Sequence, residues 1–169
     1  MPERMNNRLI DSRKYDDTLI RTARRAFYAL CTHIDHQIRI VIGTLREEGL
    51  LDNTIIMFLT DHGDMLGNHG LWAKRLYYEG SACVPMLLVG AKGCNRVGFN
   101  REDNRLVALQ DVMPTLLDLA GIEIPDSVDG ISMVGEEQRA HLYGEYGEEA
   151  EATRMLHDGR YKLIYFAEG

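Results

Sequence analysis

Seven residues, Thr54-Ile55-Ile56-Met57-Phe58-Leu59-Thr60, constrain this chain more than any other stretch. The run between the two threonines is continuously apolar and rich in β-branched side chains. It has no alternation of inside and outside positions, so it predicts a strand buried on both faces. A helix leads into it. From Asp16 to Glu48 the apolar residues Leu19, Ala23, Phe27, Leu30, Ile34, Ile38, Val41 and Leu45 step by three and four along one amphipathic face, with Gly43 as the place for a kink. Gly49 then supplies a stop signal. A long helix feeding a doubly buried strand is an α/β pattern.

Val84-Pro85-Met86-Leu87-Leu88-Val89 reads as a second buried strand, its proline tolerated near the start. The two strands are expected to be neighbours in a mixed or parallel sheet flanked by helices at 16–48 and 106–120. The second helix carries Val112, Leu116, Leu117, Leu119 and Ala120, with Pro114 in its first turn and Gly121 at its end. A connector follows over 122–135. Beyond it, His141 to Tyr146 reads as a strand, and Asp158-Gly159 between Arg154–His157 and Arg160–Phe166 is the strongest hairpin signal in the chain. The expected organisation is an α/β portion over 1–135 and a small antiparallel β subdomain over 136–169.

The residues with chemical potential follow the first strand directly: Asp61-His62-Gly63-Asp64-Met65-Leu66-Gly67-Asn68-His69-Gly70-Leu71-Trp72-Ala73-Lys74. Ligands of open α/β sheets bind at this end of a strand. A carboxylate beside an imidazole makes a partial metal site, and Gly63 lets the backbone turn close to the ion. The carboxylate favours a hard cation such as Ca²⁺ or Mg²⁺, while the imidazole leaves Mn²⁺ or Zn²⁺ open. Lys74, thirteen residues after Asp61, would neutralise an anion and the charge on its leaving oxygen. Taken as residues alone, Asp61 and His62 equally suit a helix cap, with Lys74 solvated.

The string from Thr60 to Lys74 resembles the sulfatase motif S/T-D-H-G-E-x-L-G-D-H-G-x-W-x-K. Other stretches agree in order: ALCTHIDHQIRIVIG over 29–43, Gly49-Leu50-Leu51-Asp52-Asn53-Thr54, Tyr78-Glu79-Gly80-Ser81 with Val84-Pro85, Asp111 to Gly121, and Arg160-Tyr161-Lys162-Leu163-Ile164-Tyr165. The chain thus resembles the carboxy-terminal part of a sulfatase of the alkaline-phosphatase superfamily. That resemblance implies part of an alkaline-phosphatase-like sheet flanked by helices, with a small C-terminal antiparallel sheet. It also implies Asp61 and His62 as two ligands of a single divalent metal, usually Ca²⁺ (Mg²⁺ or Mn²⁺ being the alternatives). Lys74 would contact the sulfate ester, and His69 would contact substrate or brace the loop. Asp64 stands where the family usually has glutamate.

Two family features have no counterpart here: the Asp-Asp metal pair after a strand, and the C/S-x-P-x-R motif whose Cys or Ser becomes the formylglycine nucleophile. Asp16-Asp17 precedes a helix. Cys83-Val84-Pro85-Met86-Leu87 begins like that motif, but Leu87 replaces its arginine, so Cys83 is expected as a small buried apolar residue. No catalytic residue is therefore assigned in this chain. The expectation is a sulfatase fragment, inactive alone, whose parent hydrolyses sulfate monoesters. The alternatives are a fragment of a phosphonate monoester or phosphodiester hydrolase of the same superfamily, and a non-catalytic oligomerising module. Self-association is expected, because a partial sheet leaves edges and apolar faces uncovered.

Charge and composition narrow the partners. A net charge of −7 argues against nucleic acid. Arg4, Arg8, Arg13, Lys14, Arg21, Arg24 and Arg25 make the start basic, and Glu145, Glu148, Glu149 and Glu151 make a late segment acidic; both read as solvated faces. No run of eighteen apolar residues predicts a membrane span. The amino terminus lacks a signal-peptide core, which makes a cytoplasmic location the default expectation. Cys31, Cys83 and Cys94 suggest neither a disulfide framework nor a zinc site. His33 and His36 on the helix, and His141 and His157 in the tail, read as ordinary surface or half-buried positions. Trp72 is expected to anchor the loop that bears Lys74.

Overall fold

The computed structural model describes residues 15–167, which form two compact units, residues 15–94 and 95–167. The basic positions Arg4, Arg8, Arg13 and Lys14 and the amino-terminal reading lie outside the described residues.

In the first unit, helix α1 runs unbroken over Asp17–Glu47, through Gly43. Its start is fixed by Asp16, whose carboxylate accepts the Leu19 amide at 2.7 Å. Its end is fixed by Gly49 at φ +70°. There the Gly49 amide donates to the Arg46 carbonyl and the Leu50 amide reaches back to the Leu45 carbonyl. This is the paired closure that a left-handed glycine permits, with Leu45 and Leu50 as the accompanying apolar pair. Along the helix only a narrow side is even half-buried (Ile20, Ala23 and Arg24 early, Ile38, Ile42 and Leu45 late), and no residue is fully buried. Phe27, Leu30, Ile34 and Val41 of the expected core face stand exposed, Leu30 at 62% and Val41 at 60%.

Strand β1 (Ile56–Leu59) pairs with β2 (Met86–Val89), Ile56 opposite Val89 and Leu59 opposite Met86. The strands are neighbours as expected, but the pair is antiparallel. The chain leaves β1 at Leu59 and returns at Met86, so the 26 residues between them form one loop standing on a single end of the pair. Burial also differs from the sequence reading: Phe58, Leu87 and Val89 are exposed and their neighbours half-buried. An uninterrupted apolar run signals cover on both faces, and two strands alone have nothing to supply it. Between these strands lies the four-residue helix α2 (Glu79–Ala82).

The second unit holds helix α3 (Val112–Leu119), entered through a 3-10 turn at Leu109–Asp111 and ended by Gly121 at φ +69°, with the Ile122 amide on the Leu117 carbonyl. Two polar residues, Asp111 and Thr115, are buried there beside Pro114. Asp111 is fully buried; it accepts the Ala108 amide at 2.8 Å, the Ile131 amide at 2.9 Å and both terminal nitrogens of Arg139. The Thr115 hydroxyl donates to the Asp111 carbonyl at 2.6 Å and accepts the Met133 amide at 2.8 Å, tying the 122–135 connector to the helix. Strands β3 (Leu142–Tyr146), β4 (Thr153–His157) and β5 (Lys162–Phe166) form the expected antiparallel sheet in that order. The Asp158-Gly159 hairpin is present, with the Asp158 carboxylate accepting the Arg160 and Tyr161 amides at 2.9 and 2.6 Å. Among the described residues, no helix is long and apolar enough to cross a membrane.

Candidate metal and anion site at the end of the first strand

The first residues beyond β1 carry the candidate ligands. The Asp61 Oδ1 atom accepts the Thr60 hydroxyl at 3.2 Å and the His62 amide at 3.0 Å, which folds the carboxylate across its neighbour. Its Oδ2 atom then lies 3.3 Å from His62 Nε2. The other ring nitrogen, His62 Nδ1, is 2.9 Å from the Gly63 carbonyl oxygen. A carbonyl only accepts, so Nδ1 carries the proton. In the neutral imidazole, Nε2 is therefore a bare lone pair aimed at a carboxylate oxygen. The contact is favourable only with a proton or a cation between the two atoms. Metal-binding histidines share this arrangement, one nitrogen fixed by a carbonyl and the other presented outward. Desolvation pushes the Asp61 carboxyl up, but the His62 charge and the hydrogen bonds from Thr60 and the His62 amide outweigh it and hold the group below its usual range.

Gly63 is required by close approach. Its amide donates to the Ser81 carbonyl at 2.9 Å, and a Cβ at this position would lie 2.2 Å from the Gly80 carbonyl oxygen. The ligand-bearing turn is thus pressed, backbone to backbone, against α2.

The rest of the loop closes on itself. Asp64 gains a role here, since its Oδ1 accepts the Leu66 amide at 2.9 Å and starts the turn. The Met65 amide donates to the Ala73 carbonyl at 2.8 Å, and inside that bond the Gly67 amide donates to the Leu71 carbonyl at 2.7 Å. Six of the ten residues from Leu66 to Arg75 have left-handed backbone, four of them not glycine: Leu66, His69, Ala73 and Arg75. Such residues cost about 1–3 kcal/mol each and persist only where the surroundings over-determine them. The surroundings do so here. Leu71 lies within this stretch and Met65 and Leu76 directly flank it, and these three are the buried hydrophobic residues of the described chain.

His69 stacks on the Tyr78 ring, centroids 4.6 Å apart. Lys74 is half-buried between two left-handed residues, and no hydrogen bond or ion pair joins it to another described residue. The structure therefore brings Asp61 and His62 into contact, and sets His69 against Tyr78 rather than against that pair. Trp72 packs within the loop: a Cβ on Gly67 would lie 3.7 Å from its ring.

Two expectations are corrected. Cys83 is exposed, because α2 ends at Ala82 and the chain leaves without cover. Arg24 is not a solvated charge. It reaches from α1 to the Leu66 carbonyl, Nε to oxygen 2.6 Å. Its only sequence signal is position, four residues after Ile20 on the half-buried side of the helix.

Comparison with known proteins gives a consistent result. The sulfatase family model matches residues 3–122. The arylsulfatase of Clostridium perfringens is 37% identical over 155 residues, covering 88% of this chain and 32% of that protein. The choline-sulfatase of Rhizobium meliloti is 37% identical over 157 residues, covering 88% and 30%. Among solved structures, a phosphonate monoester hydrolase from Silicibacter pomeroyi superposes with a TM-score of 0.80 at 29% identity, covering 94% of this chain and 36% of that one. A putative sulfatase from Bacteroides thetaiotaomicron gives 0.81 at 26% identity with the same coverage. The chain spans about a third of the length of these relatives.

Proposed function

The chain belongs to the sulfatase family, and from that premise we propose that residues 61–74 form the metal- and anion-binding part of a site that hydrolyses sulfate monoesters. The observation that carries the reading is the pairing of Asp61 Oδ2 with His62 Nε2 at 3.3 Å while Nδ1 is committed to the Gly63 carbonyl. One carboxylate oxygen and one imidazole nitrogen, 3.3 Å apart, suit a divalent cation, Ca²⁺ first and Mg²⁺ or Mn²⁺ next. Such a cation would supply Lewis-acid polarisation of the ester's oxygens. Lys74 would offset the negative charge of the sulfate, and His69, held by Tyr78, would contact the substrate or brace the loop. Among the described residues no group of three His, Cys, Asp or Glu gathers around a common point. In the family pattern an Asp-Asp pair supplies further ligands and formylglycine is the nucleophile; with no counterpart of either motif here, we assign both outside the residues described.

Metal binding by this chain alone is correspondingly weak, and turnover of an aryl sulfate by it is not expected. The test is nuclear magnetic resonance of the His62 imidazole during titration with Ca²⁺ and with Mn²⁺. Metal-dependent shifts and broadening at His62, lost in Asp61→Ala, support the assignment. A His62 signal indifferent to millimolar metal, where weak Ca²⁺ sites fill, refutes it.

A second reading keeps the same residues and exchanges sulfate for a phosphonate monoester. It is favoured by the likeness to phosphonate monoester hydrolases from Silicibacter pomeroyi and Agrobacterium radiobacter. Competition of inorganic sulfate against phenyl phosphonate at Lys74 separates the two. We also place self-association in this reading, because the exposed Leu30, Ile34 and Val41 offer an apolar stripe along α1.

A further inference from the structure

We propose that Arg24 is a positioning residue for the site: a tether from α1 that holds the 66–75 loop in its left-handed form and so sets where His69 and Lys74 stand. The importance of those two side chains rests on the functional reading above. The tether itself does not.

Arg24 lies on the half-buried side of α1, and its Nε–H donates to the Leu66 carbonyl at 2.6 Å, across 42 residues of sequence. Leu66 is the first of the left-handed non-glycine residues, at φ +49°. The guanidinium does a second thing. A Cβ on Gly67 would fall 3.1 Å from Arg24 Nη2 and 3.7 Å from two ring atoms of Trp72, so arginine and indole occupy the space beside the Gly67 backbone. Gly67, at φ +85°, donates its amide to the Leu71 carbonyl and accepts the Gly70 amide on its own carbonyl. One side chain thus bonds the residue before the tip of the loop and packs against the next, where the strained backbone begins.

A planar guanidinium is suited to this. It offers a fixed Nε–H direction together with a flat face, whereas a lysine ammonium offers a donor without the plane. The neighbouring Arg25 has the same charge and is exposed. It therefore separates tethering from simple basicity.

Trp72 is the single tryptophan of the chain and touches the tethered segment, so its emission reports on the loop without a label. The experiment compares wild type, Arg24→Ala, Arg24→Lys and Arg25→Ala by Trp72 emission, by amide hydrogen exchange over residues 66–75, and by thermal midpoint. Loss of one hydrogen bond of ordinary net strength should speed exchange of the Gly67 and Leu71 amides about fivefold to tenfold in Arg24→Ala. Its Trp72 emission should shift to longer wavelength. Arg24→Lys should recover part of both effects, and Arg25→Ala should match wild type. If the variant unfolds α1 as well, the thermal midpoint and exchange throughout Asp17–Glu47 move with the loop, and the tether is rejected in favour of a general helix defect. Equal exchange and emission in Arg24→Ala and Arg25→Ala overturn the proposal. An inorganic sulfate titration read by Trp72 is the independent arm. No response in wild type rejects the functional reading of Lys74 and leaves the exchange result to decide the tether.

Discussion

Replacing Gly63 by alanine sets two effects of opposite sign against each other. Alanine restricts the unfolded chain, and where the folded backbone accepts it the gain is about 0.4–1 kcal/mol. Gly63 does not use left-handed backbone, so the outcome turns on space. A Cβ there would meet the Gly80 carbonyl oxygen at 2.2 Å and its carbon at 3.1 Å. These are backbone atoms and cannot rotate away, so the ligand turn and α2 must separate by about an ångström to reach van der Waals contact. Overpacking of this kind costs about 1–3 kcal/mol. The same movement stretches the 2.9 Å bond from the Gly63 amide to the Ser81 carbonyl, worth about 0.5–1.5 kcal/mol. The clash wins, by roughly 2–3 kcal/mol after the entropic gain is subtracted. For a unit of this size that lowers the melting temperature by roughly 10–20 °C. Gly43 is the matched control. Nothing lies within 4 Å of its would-be Cβ in mid-helix, so Gly43→Ala should gain about 0.5–1 kcal/mol. Differential scanning calorimetry of both variants, with Trp72 emission alongside, reads the contrast. A Gly63→Ala protein that melts at or above wild type with unchanged emission would show that the two backbones are not in contact.

Other outcomes follow from the second unit and from α1. Asp111→Asn keeps the shape but turns an amide toward two of the four donors that Asp111 accepts and leaves Arg139 without its counter-charge; a loss of about 3 kcal/mol in urea denaturation is expected. Adding Arg139→Met should recover part of it, and strict additivity in that cycle would refute the pairing. Hydrogen bonds from Arg105 hold the Asp103 carboxyl down to about 2. Asp118, bonded to Arg96 and Ser132, is also lowered, as is Asp111, where bonds from Arg139 and two amides overcome desolvation. Depressed folded values mean stability that is complete above the unfolded carboxyl pKa, about 3.9, and lost as pH falls toward about 2. Thermal midpoints measured between pH 5 and 2 should therefore fall, with a shallower limb in Asp103→Asn; a flat profile contradicts the sign. Finally, Ile34→Glu, which places a charge on the exposed stripe of α1, should reduce association seen by light scattering. An unchanged monomeric wild type would remove self-association.

Local signals carried much of this structure in the sequence. Asp16 and Gly49 bracket α1 because a cap and a left-handed glycine act within a few residues, and the Asp158-Gly159 hairpin is local in the same way. Strand pairing was legible only in part. A continuous apolar run states that both faces want cover, but neither the direction of the neighbouring strand nor the source of the cover is written in it. Asp61 and His62 were legible as a pair because they are adjacent; the commitment of His62 Nδ1 to the Gly63 carbonyl was not, since it depends on the turn that follows. Arg24, Tyr78 and Ser81 belong to the site through contacts at long separation, and no periodicity marks them. The burial of Asp111 was equally silent, because an aspartate at the entry of a helix reads as an exposed cap until Arg139, 28 residues later, is found upon it.

The nested bonds of the site loop have a consequence for how it forms. Gly67 to Leu71 closes four residues, Met65 to Ala73 closes eight, and Gly63 to Ser81 closes eighteen. Each inner closure shortens the free chain that the next must join. Closing four residues rather than eighteen spares about 1.3 kcal/mol of chain entropy. The loop can therefore zip from its tip toward its feet using contacts near in sequence, before β1 and β2 meet in pairs from Leu59–Met86 out to Ile56–Val89. Insertions at the exposed Asn68 tip lengthen only the innermost ring. An insertion between Gly63 and Met65 lengthens only the outermost closure, at the point where the chain packs against the Gly80 backbone.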